Sequence, residues 1–286
     1  MIKTALSSNS CGLNIPLTFR VAKEIGYSGV EIIPLRNTTV RGIERLVDKY
    51  NLPVLSVHGP WWTEVIQNLT IAEGSRHERL EALFWRQKIG AFESNNAAKI
   101  AEALNVPMIL HPGLVFEIFE QGLESAIENV EIRVENDDSA FHPFTPDKTN
   151  GLRAAIAAYD TFGLSGLVLD LEHLAKYERY NGAPQDFISG LNRAISAIGD
   201  RNLAEIHICD YQPGVKGGGH LAMGKGRLPL GTSVNRLVEV NANLQFTIEA
   251  AGKEKGAILA VLSGGITDSR DCRCRASSFM PLFSEV

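Results

Sequence analysis

Five of the seven histidines fall at, or shortly after, the ends of short apolar runs. His58 closes V-L-S-V-H, His111 follows M-I-L, and His207 sits in E-I-H-I. His173 comes three residues after Asp170 in L-V-L-D-L-E-H, and His220 lies in the stretch that follows His207. His77, in a helical pattern, and His142, in a loop, fall elsewhere. Carboxylates share the same places. Glu135 closes V-E-I-R-V-E, Asp170 ends L-V-L-D, Glu249 closes F-T-I-E, and Asp210 follows His207 by three residues. Each stands against an apolar run, where a desolvated charge is costly without a partner. A cation partners several acids around one cavity. Imidazole with carboxylate suits Mn²⁺, Co²⁺, Zn²⁺ or Fe²⁺ better than Ca²⁺. The competing reading is a ring of salt bridges to Arg or Lys, but these run ends supply few bases. Glu31, in G-V-E-I-I-P, either lines the same cavity or pairs with Arg36. Trp61 and Trp62, in V-H-G-P-W-W, either wall a pocket or pack a loop.

The elements that must hold these groups alternate strand with helix. Strands are predicted at Lys3–Leu6, Val30–Pro34, Val54–Val57, Met108–His111, Glu131–Glu135, Leu167–Leu171, Ala204–Ile208 and Phe246–Glu249. Several are near-continuous in Val, Ile and Leu, as strands buried on both faces are. Three- and four-residue spacing of apolar residues predicts helices at Leu17–Ile25, Val40–Tyr50, His77–Leu104, Gly122–Asn129, Leu152–Phe162, Pro184–Ile198, Ser233–Val240 and Gly256–Leu262. Strand then helix, eight times over, is the pattern of a single-domain (β/α)8 TIM barrel. All strand ends of such a barrel converge on one mouth, so the histidines and acids would share one rim. The rival, an open doubly wound sheet, lacks G-x-G-x-x-G after its first strand. Gly217-Gly218-Gly219 is not followed at once by a helix, so it is not read as a phosphate loop. The longest non-periodic stretches, Asn136–Asn150 and Tyr211–Leu230, follow the fifth and seventh strands. Loops in those places build a barrel's functional face.

The whole chain agrees with this architecture. Its 286 residues suit one barrel, residues 1–263, with a polar C-terminal extension over 264–286. Hydrophobic residues make up 44% and charged residues 21%, ordinary for a globular core. The formal charge is −5 and no block of Lys and Arg forms a phosphate-binding stripe, which weighs against nucleic acid. Four cysteines are too few and scattered for a disulfide scaffold, and Cys272 and Cys274 read as incidental tail thiols. No run reaches the ~18 apolar residues of a membrane span. The opening MIKTALSSNS lacks the apolar stretch of a signal peptide, so a cytoplasmic protein is expected. Base rates alone make a homodimer the default oligomer.

At this point the residues resemble a family. G-Y-S-G-V-E, S-V-H-G-P, L-H-P-G, V-E-N, D-L-E-H, H-I-C-D, H-L-A-M-G-K-G and I-E-A, in that order over about the first 250 residues, resemble the xylose-isomerase-like TIM barrels. That superfamily includes sugar epimerases, hydroxypyruvate isomerase, inosose dehydratase and endonuclease IV. In its isomerase and epimerase branch, the resemblance implies one divalent ion (Mn²⁺, Co²⁺, Zn²⁺ or Mg²⁺) held by Glu135, Asp170, His207 and Glu249. Glu135 and Glu249 would then also be the acid–base residues, and His173 would bind a substrate hydroxyl. The implied substrate is a small sugar, sugar phosphate or related polyol. In the endonuclease IV branch, His58, His111, Glu135, Asp170, His173, His207, His220 and Glu249 match eight of nine zinc-ligand positions. The ninth, an aspartate there, is Gly218 here, which leaves only His173 and His220 at the third zinc position. His58 and His111 would hold a second ion with Glu135 or bind substrate. The epimerase branch tends to carry an arginine soon after the strand-seven histidine; here D-Y-Q-P-G-V-K offers only Lys216.

Overall fold

A computed structural model describes residues 2–35, 37–59, 96–120, 122, 124–137, 151–215 and 219–250. Arg36, Trp61, Trp62, His77, His142, Lys216, Gly217, Gly218, Cys272, Cys274, the expected helix Gly256–Leu262 and the C-terminal extension lie outside the described residues. Eight strands form a closed parallel barrel: β1 (Lys3–Ser7), β2 (Gly29–Ile32), β3 (Val54–His58), β4 (Met108–Leu110), β5 (Ile132–Glu135), β6 (Gly166–Asp170), β7 (Leu203–Ile208) and β8 (Gln245–Ile248). Each pairs with the next, and β8 closes on β1 through Lys3–Gln245 to Leu6–Ile248. All eight lie within two residues of the strands expected from the sequence.

The period of two along each strand splits the residues into two sets. Leu6, Val30, Ile32, Val57, Met108, Val134, Leu167, Ile206, Phe246 and Ile248 belong to the continuous apolar core, packed with helix residues such as Phe19, Val21, Phe187, Leu191 and Val234. Fully burying one such side chain is worth about 1.5–3 kcal/mol. The alternate positions carry Glu31, Ser56, Arg133, Glu135, Glu205, His207, Gln245 and Thr247, and these side chains bond to one another across the barrel lumen.

Helix ends follow local chemistry. Asn14 caps Ile15–Ile25 by accepting from the Leu17 N–H, and Thr39 caps Val40–Tyr50 by accepting from the Gly42 N–H. Left-handed Gly26 and Asn51 end those two helices. Residues 96–104 are helical, within the expected His77–Leu104. The helices Gly151–Phe162, Pro184–Ile198 and Leu230–Val240 lie where periodicity put them, to within three residues. The expected helix Gly122–Asn129 is corrected: the α-helix is Pro112–Glu120, with only a 3-10 turn at Glu124–Ala126. Pro112 has no N–H to lose and a preset φ, so it starts a helix directly behind β4. Gly122, at φ +65, then turns the chain. A further short helix, Leu171–Tyr177, begins at once after β6, capped by Asp170. Among the described residues, no helix is long and apolar enough to cross a membrane.

Candidate functional site

The C-terminal ends of the strands bring Glu135, Asp170, His207 and Glu249 together. Each offers one ligand atom, and those atoms all lie within 4.8 Å of one another. His207, fully buried, is the hub. Its Nδ1 lies 2.9 Å from Glu135 Oε1 and 3.2 Å from Glu249 Oε2. Its Nε2 faces downward, 3.3 Å from Glu31 Oε2 and 3.7 Å from Glu205 Oε1. The second oxygen of Glu135 meets His58 Nε2 at 2.9 Å and His111 Nε2 at 3.5 Å. Asn9, from the turn after β1, donates its amide to Glu249 Oε1 at 3.2 Å.

Each ligand candidate is oriented by a neighbour. His58 Nδ1 sits 2.7 Å from the Gly59 carbonyl, which only accepts, so Nδ1 carries a proton and Nε2 points at Glu135. Asn136 spans the ends of β5 and β6: its Oδ1 accepts from the Asp170 N–H at 2.7 Å and its amide donates to the Asp170 carbonyl. Asp170 Oδ1 caps the next helix by accepting from the His173 N–H at 2.7 Å. Asp170 Oδ2, fully buried, has no hydrogen-bond partner.

Burial and opposite charge compete here. Burial pushes Glu135 up, but the His207 charge and hydrogen bonds from His111, His207 and His58 outweigh it and hold its carboxyl well below the usual range. Burial opposes His207 in turn, yet Glu135 and Glu31 hold that imidazole well above its ordinary value. The same contest takes Glu249 down to about 2, with His207 as the main opponent of burial. Asp170 and Glu31 go the other way: burial dominates and raises both. Among the described residues, no lysine or arginine pairs with Glu31, Glu135, Asp170 or Glu249. The expected alternative of mouth salt bridges therefore lacks its bases. Three carboxylates and one imidazole, with an orphaned buried oxygen on Asp170, fit a divalent cation.

The other expected histidines form an arc around this set. Ring centroids run His207–His58 at 5.8 Å, His58–His111 at 5.3 Å, His111–His173 at 6.3 Å and His173–His220 at 5.7 Å. Glu31 does not stand at the rim: it lies beneath His207, bonded to Ser56. Several contributors were missed. Glu205 underlies His207, and its position two residues before that histidine was the signal that could have found it. Glu172, fully buried, reaches towards His173 and His220. Cys209 Sγ lies 3.6 Å from His220 Nδ1, its thiol pushed well up by burial. Asp210 is not part of the four-residue set and organises the following loop. Its carboxylate accepts four backbone N–H groups, from Tyr211, Gly224, Gly226 and Leu228. The Asp210–Leu221 antiparallel bridge ties the same loop down beside His220.

Fold and site together define a parallel (β/α)8 barrel with an acidic, histidine-ringed mouth. The chain belongs to the xylose isomerase-like TIM barrel family, whose model matches residues 19–262. Among solved structures it is similar to a 3-keto-D-glucoside 4-epimerase from E. coli, at 17% identity over 92% of this chain and 98% of that one, with a TM-score of 0.55. A D-tagatose 3-epimerase-like protein shares 14% identity over 92% of this chain and 95% of that one, TM-score 0.55. A family 2 AP endonuclease from Brucella melitensis shares 16% over 94% of this chain and 100% of that one, TM-score 0.53. At such identities the likeness carries the fold alone. No curated protein matches the chain.

Proposed function

We propose that the protein is a metal-dependent isomerase or epimerase acting on a small sugar, sugar phosphate or related polyol. One observation carries this reading: Glu135 and Glu249 both reach His207 within a four-residue set that fits one divalent ion. A bound divalent ion (Mn²⁺, Co²⁺, Zn²⁺ or Mg²⁺) supplies Lewis-acid polarisation of a hydroxy-carbonyl pair, which acidifies the adjacent C–H. Glu249, 4% exposed, is the more accessible of the two carboxylates. It takes the C–H proton as general base. The proton returns to the neighbouring carbon, or to the opposite face of the same carbon, so no oxidant or co-reactant is needed. Glu135 is the second acid–base candidate, and His58 and His111 fix its free oxygen. In this reading His173 and His220, further around the arc, bind substrate hydroxyls.

Support comes from the family and from solved relatives described as sugar epimerases. The arc of histidines favours a second reading, a metal-dependent phosphodiesterase, because His58, His111 and Glu135 also form a ligand set within 4.8 Å. Incubation with a panel of ketoses and aldoses in D₂O, with Mn²⁺ or Co²⁺ added, tests the first reading. Deuterium incorporated at a carbon next to the carbonyl is expected. Cleavage of abasic DNA or a simple phosphodiester, with no sugar exchanging, would replace it by the second.

A further inference from the structure

We propose that Glu31 is a positioning residue: from beneath His207 it fixes which imidazole nitrogen faces the four-residue set. The inference rests on the reading of that set as a cation site and concerns the layer below it. His207 is fully buried between two groups of carboxylates. Above, its Nδ1 lies 2.9 Å from Glu135 Oε1 and 3.2 Å from Glu249 Oε2. Below, its Nε2 lies 3.3 Å from Glu31 Oε2 and 3.7 Å from Glu205 Oε1. An imidazole that lends one lone pair to a cation keeps its single hydrogen on the other nitrogen. With Nδ1 turned to the ligand set, that hydrogen sits on Nε2 and needs an acceptor below.

Glu31 is the acceptor with room for it. Glu205 Oε1 already takes Gln245 Nε2 at 2.6 Å, Ser56 Oγ at 3.2 Å and the Thr247 hydroxyl, and its Oε2 takes Arg133 Nη1 at 3.1 Å. Glu31 Oε2 meets the same Ser56 hydroxyl at 3.2 Å, and one hydroxyl hydrogen serves one acceptor at a time. Glu31 Oε1 is buried with no hydrogen-bond partner, and so is His207 Nε2. A donor and an acceptor with spare capacity therefore stand 3.3 Å apart. The backbone places the acid there. Among the described residues, the barrel ladder shifts register twice. One shift falls between Val30 and Glu31 and sets Glu31 level with Ser56; the other falls between Leu167 and Val168 and sets Val168 level with Glu205. Such irregularities re-aim side chains beside functional sites, and both fall at the acids under His207. A carboxylate on the far nitrogen holds the tautomer and the ring orientation, and makes the facing nitrogen a stronger donor to a metal.

The experiment uses full-length protein, stripped by chelator and reloaded with an equimolar amount of Zn²⁺. Affinity is read by competition with a chromophoric chelator. The His207 tautomer is read by NMR of protein labelled with ¹⁵N-histidine, the signal being assigned by its absence in His207→Asn. The Zn²⁺ form of the unaltered chain is expected to carry the hydrogen on Nε2 and the metal-shifted signal at Nδ1. Glu31→Leu, which removes the acceptor, is expected to bind Zn²⁺ about tenfold to a hundredfold more weakly. Glu31→Gln, which keeps an oxygen acceptor without the charge, is expected to lose less, about threefold to tenfold, and decides the matter if Glu31→Leu fails to fold. A purely structural role would lower the urea midpoint and leave the Zn²⁺ affinity of the folded variants unchanged. Glu249→Gln identifies the ion being measured. Weaker binding there, with unchanged binding in the folded Glu31 variants, leaves the four-residue set standing and overturns the role of Glu31. A His207 hydrogen on Nδ1 in the Zn²⁺ form overturns it as well. Unchanged binding in Glu249→Gln, or no binding by the unaltered chain, overturns the cation reading of the set and this inference with it.

Discussion

Two layers of the barrel lumen, one residue pair apart on the same strands, treat their charges in opposite ways. In the lower layer, Glu205 is fully buried yet surrounded: Arg133 Nη1 donates at 3.1 Å, and Ser56, Gln245 and Thr247 also donate to it. In the upper layer, Glu135, Asp170 and Glu249 meet imidazoles, amides and one backbone N–H, but no lysine or arginine among the described residues. Strands β5, β7 and β8 feed both layers, through Arg133 and Glu135, Glu205 and His207, Thr247 and Glu249. The fold therefore does not impose the difference; the choice of residue does. A carboxylate deep in a barrel can be neutralised entirely by the chain, as Glu205 is. The mouth keeps an orphaned oxygen on Asp170, and it is this layer that the proposed cation would neutralise. Around Glu205 the lower layer is closed, although Glu31 beside it keeps one buried oxygen without a hydrogen-bond partner.

The largest expected effect falls on the upper layer. Glu249→Gln keeps the shape of the side chain while removing a ligand charge and the proposed base together. Turnover in the deuterium-exchange assay should fall by roughly 10³-fold or more, about 4 kcal/mol of barrel-mouth transition-state stabilisation. By urea denaturation, metal-free stability in the same variant should fall by less than in the closed-layer variant below, because losing the His207 contact also relieves repulsion from Glu135. The closed layer should behave in reverse. Glu205→Ala removes the buried acceptor shared by Arg133, Ser56, Gln245 and Thr247, although Arg133 keeps Glu131. Breaking such a buried pair costs about 3–5 kcal/mol, read as a lower urea midpoint in the metal-free protein. Equal destabilisation by the two substitutions would erase the distinction between the layers.

Much of this was legible in the sequence, for physical reasons. Strands buried on both faces must be apolar on one side and lumen-compatible on the other, so Leu167–Leu171 and Ala204–Ile208 announced themselves, and their polar residues marked the mouth. The short helix Leu171–Tyr177 did not, because seven residues span too few turns for periodicity to register and its first residue reads as the end of β6. Glu172 was hidden by the same shortness. A glutamate four residues before Lys176 reads as an exposed helical pair, whereas the Asp170 cap turns that glutamate inward. Gly122–Asn129 failed for a different reason: its apolar spacing was helical, but Pro112 set the start and Gly122 the turn. Glu31 was recognised as lumenal or paired, and only the register of β2 against β3 puts it under His207 rather than at the rim.

The pH dependence of metal binding separates the layers by a smaller margin. In the metal-free protein, neighbouring carboxylates raise His207 and His58 against the opposing pull of burial. A raised imidazole keeps its proton to higher pH, and a cation must expel it before binding. Affinity should therefore increase as pH rises through the ordinary histidine range, and level off only above the raised values. Each displaced proton contributes roughly tenfold per pH unit. Calorimetry in two buffers of different ionisation enthalpy would count the protons released. A flat profile between pH 6 and pH 8 would mean that the imidazoles are already neutral, and that the carboxylates around His207 are not charged as described.

The smallest effect tests whether height in the barrel, or completeness of partnering, decides a residue's role. Asp210 lies at the level of the mouth, three residues beyond His207, and is 2% exposed. Yet its two oxygens are saturated by four backbone donors, much as Glu205 is saturated below. Replacing it by Asn turns one oxygen into an N–H₂ group that faces two N–H donors. A Cβ at Gly226 would come within 2.4 Å of Asp210 Oδ1, so the loop has no room to rearrange around the amide. The expected cost is about 1–2 kcal/mol, concentrated in the loop from Tyr211 to Pro229. Limited proteolysis should cut that loop faster, while Co²⁺ added to the four-residue set binds with near-parental affinity. If Asp210→Asn instead abolishes Co²⁺ binding and spares the loop, then position at the mouth outweighs partnering, and Asp210 joins the proposed ligands.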